Sequence, residues 1–239
     1  MTGTRDHSVA ELISILVPVY NEGATIAAVI ERLLTIDLPA PREIVVVNDG
    51  SRDGTRERLD GMAGRSPVLT IVHVTENHGK GHAIRLGLRL ARGTIIAIQD
   101  ADLELDPAQL SSLVTPILAA EATVIYGSRF LAGTPAAPRV TILANRLLTA
   151  LTNVLYRSAL TDMETCYKVM RIDIARSLGL TANRFDIEPE ITARLLRGGH
   201  HIVERPVTFS PRSAAAGKKI GWRDGLIAIW VLMRLRFGR

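Results

Sequence analysis

Three carboxylates, Asp100, Asp102 and Glu104, stand within five residues, directly behind the apolar run Ile95–Ile98. Crowded like charges repel, so the cluster needs a cation or solvent to compensate it. Hard oxygen donors on a turn suit Mg2+ or Mn2+, which completes its coordination with water and substrate phosphates. The competing reading is a solvated acidic turn that caps the next helix. Two other polar segments share this setting. PVYNEG (18–23) and NDGSRDG (48–54) each close a β-branched run. NHGKG (77–81) opens an amphipathic stretch, where backbone N–H groups can hold a phosphate. His78 and His82 are four apart, but without a third ligand surface histidines of a helix are the simpler account. No G-x-x-x-x-G-K-[ST] and no G-x-G-x-x-G occurs, which removes the P-loop and the dinucleotide fingerprint.

The elements that would position these residues alternate in type. Hydrophobic periodicity predicts strands over Ile13–Val19, 43–47, 68–74, 94–98 and 123–126. Between them it predicts helices over 25–34, 53–62, Lys80–Leu90 and from Asp106-Pro107 to 118, the last opened by an N-cap and a proline. Such alternation implies right-handed βαβ units and a mainly parallel sheet covered on both faces. Ligands then bind outside the carboxyl ends of the strands. Further on, helices are expected over 140–156, Ile187–Arg197 and 224–237, and strands over 166–170 and 201–207.

Composition narrows the function classes. The chain has 239 residues, 47% of them apolar, enough to bury a core and too many for a disordered protein. Its one cysteine, Cys166, excludes an internal disulfide framework or an all-thiolate zinc site and fits a reducing compartment. The longest stretch free of charge, 107–120, is shorter than the roughly 20 apolar residues of a membrane-spanning helix. Residues 1–11 are polar and carry no apolar signal region. The net charge is +5, and ten basic residues against two acids fall between Arg194 and Arg239. This asymmetry points to an anionic partner at the C-terminal end, with phosphates, a membrane surface or nucleic acid as the candidates. The basic segment lacks the interleaved aromatics or helix-turn-helix of a nucleic-acid binder.

Eight motifs in order resemble the family-two nucleotide-sugar glycosyltransferases, and within them the polyprenyl-phosphate (dolichyl-phosphate mannose synthase-like) sugar transferases. They are VPVYNEG (17–23), VVNDGSRDGT (46–55), NHGKGHAIRLG (77–87), DADLELDP (100–107), YGSRF (126–130), TDMETCYKVMR (161–171), NRFDIEPEI (183–191) and GKKIGWRDG (217–225). The resemblance implies an α/β GT-A fold, a Rossmann-like αβα sandwich with a mainly parallel sheet. It divides the chain into a catalytic domain over 1–210 and a basic loop with a C-terminal amphipathic helix over 211–239. It also implies a Mg2+ or Mn2+ cofactor, a nucleotide-sugar donor of GDP-mannose or UDP-glucose type, and a polyprenyl-phosphate acceptor.

By the same resemblance, Pro18, Tyr20, Glu22, Val47 and Asp49 would cradle the nucleoside. Asp100, Ala101 and Asp102 would hold metal and ribose-diphosphate, with Glu104 as a further metal ligand where relatives often carry Gln. Arg129 would face the active site, Asp162 would position the acceptor or act as base, and Arg212 and Lys218 would close over the phosphates. Asn48 and Ala216 depart from the family pattern, at a first Asp and at a Glu before Gly-Lys-Lys. Glu188 and Glu190 belong to a family motif without an assigned role.

Charge makes the mechanism legible. A nucleoside diphosphate leaves as the anomeric carbon is attacked, and metal and Arg/Lys donors stabilise the charge building on it. A lipid phosphate is already ionised and needs no general base, whereas a hydroxyl acceptor does. One displacement inverts the anomeric centre. In the last helix, Trp222, Leu226, Ile229, Trp230, Met233 and Phe237 form an apolar stripe ending among arginines. It suits a peripheral anchor at the cytoplasmic face of a membrane. Ile227, Val231 and Leu232 equally suit a helix packed on the core or on a second copy in a homo-oligomer. Transfer to a soluble or glycolipid hydroxyl, and a non-catalytic nucleotide-sugar binding module, are the alternatives.

Overall fold

The computed structural model describes residues 10–211 and 222–238. Its elements run β1 (Ile13–Val19), α1 (Ile26–Thr35), β2 (Arg42–Asp49), α2 (Thr55–Asp60), β3 (Leu69–Val74), α3 (Lys80–Leu90) and β4 (Ile95–Ile98). A 3-10 turn over Pro107–Gln109 then leads into α4 (Leu110–Leu118), β5 (Val124–Ser128), α5 (Arg139–Tyr156) and β6 (Lys168–Arg171). The chain closes with α6 (Ile172–Ser177), α7 (Ile187–Arg197), β7 (Val203–Pro206) and α8 (Trp222–Phe237).

The β-branched runs become the middle of the sheet because both their faces are covered. β1, β2 and β4 are buried almost throughout, and a strand without an exposed face shows a continuous apolar run rather than alternation. Helix α1 presents Ile26, Val29, Ile30 and Leu33 to that core, the i, i+3, i+4, i+7 spacing of one helical face.

The described strands form one seven-stranded sheet in the order β3-β2-β1-β4-β6-β5-β7. β1 is parallel to both β2 and β4, with Ile13 opposite Arg42 on one side and Ile95 on the other. The chain therefore crosses from β3 back over β1 to reach β4, which makes the β1/β4 boundary the switch point of the sheet. The loops after β1 and β4, carrying YNEG and DADLE, open on the crevice where α/β sheets bind ligands. β6 alone runs antiparallel to its neighbours, β4 and β5. The expected mainly parallel sheet is thus found, with this one reversal. Helix α6 was not expected: six residues directly behind a strand carry too little periodicity to stand out.

Helix α8 packs one side on the protein and leaves apolar residues exposed on another. Ala228, Val231 and Leu232 are buried, and Leu232 joins Met163 and Ala193 in a small core edged by Leu148, Leu151 and Leu155. The Tyr156 hydroxyl donates to the Leu232 carbonyl at 2.8 Å, fastening α8 to α5. Leu226, Ile229, Trp230, Met233 and Phe237 stay exposed on the opposite side.

Candidate active site

Three loops meet at the carboxyl ends of β1, β2 and β4, stitched by short polar side chains. Asn21, at φ 51°, accepts the Arg52 N–H, and its own N–H donates to Ser51 Oγ. Asp53 accepts the Gly23 N–H at 3.1 Å, and Thr55 Oγ1 accepts that of Glu22 at 3.0 Å. Thr25 Oγ1 donates to the Ala101 carbonyl at 2.7 Å and to Glu22 Oε2 at 3.1 Å, tying the first loop to the Asp-x-Asp turn. Pro18, Tyr20, Glu22, Asp49, Asp100, Ala101 and Asp102 thus lie along one rim. Val47 does not offer its side chain there, because it is packed in the core.

Asp49 commits one carboxylate oxygen to the protein. Its Oδ2 accepts the Asn77 side chain and the N–H groups of His78 and Gly79, at 2.9, 2.9 and 2.6 Å. The next N–H groups, of Gly81 and His82, donate to the carbonyls of Arg184 and Asn183. A Cβ at Gly81 would stand 2.5 Å from the Ala182 carbonyl, so glycine is needed for this close approach. The NHGKG segment is therefore a packing joint between α3 and the loop before α7. Its donors are spent on protein acceptors, which corrects the reading of a helix start free to hold phosphate. Asn48, the first departure from the family pattern, hydrogen-bonds His73 Nδ1 at 2.9 Å and accepts the Ser51 N–H.

The chemistry concentrates around Lys80. Its Nζ lies 2.8 Å from Asp100 Oδ1 and 2.9 Å from Glu188 Oε1. Glu188 Oε2 in turn lies 2.5 Å from the Nζ of Lys168, whose side chain is wholly buried. Lys168 also donates to the carbonyls of Met163 and Thr165. Burial is the largest single influence and opposes the charge on Lys80, but Asp100 and Glu188 together hold the ammonium pKa well above the lysine range. Asp100 mirrors this: burial raises its pKa, yet Lys80 leaves it lowered. Burial pushes the neighbouring Cys166 thiol far up, so it is a hydrogen-bonding wall and not a nucleophile.

Arg129 and Asp162 form the second cluster. Arg129 Nε and Nη2 donate to Asp162 Oδ2 and Oδ1 at 2.7 and 2.8 Å, and the Arg129 N–H reaches Oδ2 at 3.0 Å. The Asp162 N–H donates to Glu204. Burial works against the guanidinium, but Asp162 raises its pKa and keeps it charged. Asp162 is fully buried with both oxygens engaged, so the geometry suits positioning of Arg129 rather than proton abstraction.

The acidic trio does not assemble into a three-carboxylate cage. Among the described residues, no three His, Cys, Asp or Glu side chains converge on a point that could hold a metal ion. Asp100 turns to Lys80, and Asp102 Oδ1 accepts the Glu104 N–H at 3.1 Å across a turn whose Leu103 sits at φ 61°. Two carboxylates remain a fitting donor set for Mg2+ or Mn2+, which commonly take one or two from protein and the rest from water and phosphate. Arg212 and Lys218 lie outside the described residues. Lys80, Lys168, Glu188 and Glu164 were not assigned from sequence, and their signal was the placement of charge inside apolar runs such as TCYKVM.

Residues 14–179 match the model of Glycosyl transferase family 2. The chain is 30% identical over 244 residues to the undecaprenyl-phosphate mannosyltransferase of Micrococcus luteus, covering 93% of this chain and 98% of that protein. It is 27% identical over 217 residues to the polyprenol monophosphomannose synthase of Mycolicibacterium smegmatis, covering 87% and 80%. Its fold is similar to that of glucosyl-3-phosphoglycerate synthase from Mycobacterium tuberculosis, with TM-score 0.71 at 21% identity over 95% of this chain and 81% of that one. The same neighbour is also known in complex with Mn2+, uridine diphosphate and glucosyl-3-phosphoglycerate (TM-score 0.70, 20% identity, covering 95% and 80%). With the switch-point loops, the GT-A architecture and the matched span in agreement, this chain belongs to glycosyl transferase family 2 and is a glycosyltransferase.

Proposed function

We propose that the protein is an inverting, metal-dependent transferase that moves a hexose from a nucleotide-sugar donor, of GDP-mannose or UDP-glucose type, to a polyprenyl phosphate. The observation that carries the acceptor class is the gathering of buried cations. Arg129 is held by both oxygens of Asp162, and Lys80 and Lys168 flank Glu188. A phosphate acceptor arrives ionised, and its charge is met by such cations. The near full-length likeness to the undecaprenyl-phosphate mannosyltransferase supports the same acceptor.

In this reading the rim of Pro18, Tyr20 and Glu22 and the backbone at Val47 and Asp49 cradle the nucleoside. Asp100 and Asp102 would hold Mg2+ or Mn2+, which would supply positive charge to the departing diphosphate. Lys80, beside Asp100, would be within reach of that phosphate, while Arg129, held by Asp162, meets the acceptor. Arg212 and Lys218 contribute further cations from the basic loop.

The reading places the enzyme at the cytoplasmic face of a membrane, and two exposed apolar surfaces support it. Besides the stripe on α8, α5 exposes Leu143, Leu147, Val140 at 80% and Val154 at 78%. Such patches mark docking surfaces. Arg139, Arg146 and Arg157 flank the α5 face, and no acid occurs between residues 139 and 157. No described helix is long and apolar enough to cross a membrane. Incubation of the full chain with GDP-mannose or UDP-glucose, Mn2+ and either undecaprenyl phosphate or undecaprenol tests the acceptor. A glycosylated phosphate with no product from the alcohol is the expected result. Equal transfer to the alcohol would overturn it.

A further inference from the structure

We propose that Glu164 accepts a hydroxyl of the transferred sugar and thereby sets which sugar the site takes. The inference rests on the nucleotide-sugar part of the reading above, not on its acceptor. Glu164 lies in the loop between α5 and β6, two residues after Asp162 and two before Cys166. Its two chain neighbours, Met163 and Thr165, offer their carbonyls to Lys168, which pairs with Glu188, and Asp162 two residues earlier holds Arg129. It therefore lies on the loop that touches both the Arg129–Asp162 pair and the Lys168–Glu188 pair, and Glu188 also meets Lys80. In a glycosyl transfer the group between acceptor and diphosphate is the sugar.

The Oε1 atom of Glu164 is buried without a hydrogen-bond partner. Of the acids near it, Asp162 is committed to Arg129, and Glu188 is ion-paired with Lys80 and Lys168. A buried acceptor left unpaired in a native structure calls for an explanation, and a donor on a ligand is one that fits a site beside these cations. A carboxyl group repels phosphate, so the complementary ligand group is a neutral O–H, which a sugar supplies. Burial, the largest influence, raises the Glu164 carboxyl to about 7. Lys168 and Arg129 oppose that rise, while Glu188 and Asp162 add to it. In either protonation state one oxygen remains able to accept from a hydroxyl.

The test compares donor binding in the absence of any acceptor, so it stands whether or not the acceptor is a prenyl phosphate. The probes are GDP-mannose, UDP-glucose, their singly deoxygenated sugar forms, and GDP and UDP. Each is titrated with Mn2+ into the full chain, Glu164→Gln and Glu164→Ala. For the intact chain, deletion of one particular sugar hydroxyl is expected to weaken binding about 10-fold or more, the scale of a hydrogen bond to a carboxylate. In Glu164→Ala the same deletion is expected to have no effect, with GDP and UDP bound as before. Glu164→Gln, which keeps the shape and an acceptor oxygen, is expected to retain part of the hydroxyl dependence and to lose its variation between pH 6 and 8. Full hydroxyl dependence in Glu164→Ala at every position, or an equal loss of affinity for sugar-free GDP and UDP in both variants, would overturn the assignment.

Discussion

Lys80 joins Asp100 to Glu188, with its ammonium 2.8 Å from one carboxylate and 2.9 Å from the other. One side chain at the start of α3 thus couples the Asp-x-Asp turn after β4 to the first turn of α7. The pair of acids would repel without it, and it would lie in a costly environment without them. In Lys80→Met, Asp100 loses its counter-charge and Glu188 keeps only Lys168. We expect urea unfolding to show a loss of about 3 kcal/mol, in the range for breaking a buried pair from one side. A change within experimental error would mean that solvent already screens the site.

The metal is tested through linkage. A nucleoside diphosphate at about 100 times its dissociation constant adds roughly 2.7 kcal/mol of stability. We expect that gain with Mg2+ or Mn2+ and little of it in EDTA. Asp102→Asn is expected to erase the difference while preserving the melting transition of the ligand-free protein. Equal stabilisation with and without metal defeats Asp100 and Asp102 as ligands.

Arg129→Lys keeps the charge but loses the two-pronged contact to Asp162. A fall in kcat of about 10²-fold with nearly unchanged donor KM is expected, as for removal of one donor that meets developing charge. Asp162→Asn is expected to slow turnover without removing a limb of the pH–rate profile, because it positions Arg129 and carries no proton. Loss of such a limb would restore Asp162 as the base.

For pH dependence, Glu164 is the informative group. Its folded pKa of about 7 stands above the ordinary glutamate value of 4.5, so the folded state binds more protons than the unfolded state between those values. Stability contributed by this group is present below about pH 4.5 and is lost as pH rises toward 7, by up to about 3 kcal/mol. Glu164→Gln should flatten that slope in chemical unfolding followed from pH 4.5 to 8. An unchanged slope would place the titration elsewhere.

Membrane docking is best tested by surface substitution, because truncation before α8 would strip Val231 and Leu232 from a core shared with Met163 and Ala193. Each Lys or Arg near an anionic bilayer contributes about 1 kcal/mol. We expect the full chain to sediment with anionic vesicles and less so at high salt. Leu143→Asp/Leu147→Asp and Trp230→Asp/Phe237→Asp should each reduce that binding severalfold. If the vesicle binding persists while light scattering shows a dimer broken by either pair, the apolar faces belong to a second copy.

The sheet was legible because its strands are local and buried on both sides: Ile13–Val19 and Ile95–Ile98 can be read as strands without knowing their partners. The reversal of β6 was not legible, since a four-residue strand carries no mark of direction. Within the site, the motif residues declared themselves by type and spacing. Their partners did not, because an ion pair such as Lys80–Glu188 joins residues more than a hundred positions apart.

From sequence alone came the family, the βαβ order and the rim on which Asp100 and Asp102 stand, all carried by local patterns of apolar runs and turn residues. Only the tertiary structure decided that the Asp49 oxygen is spent on the loop before α3, that Arg129 holds Asp162, and that Glu164 keeps a buried oxygen unpaired. The reason is physical. Hydrogen bonding and desolvation depend on which distant side chains share the same low-dielectric space, and chain order does not specify that.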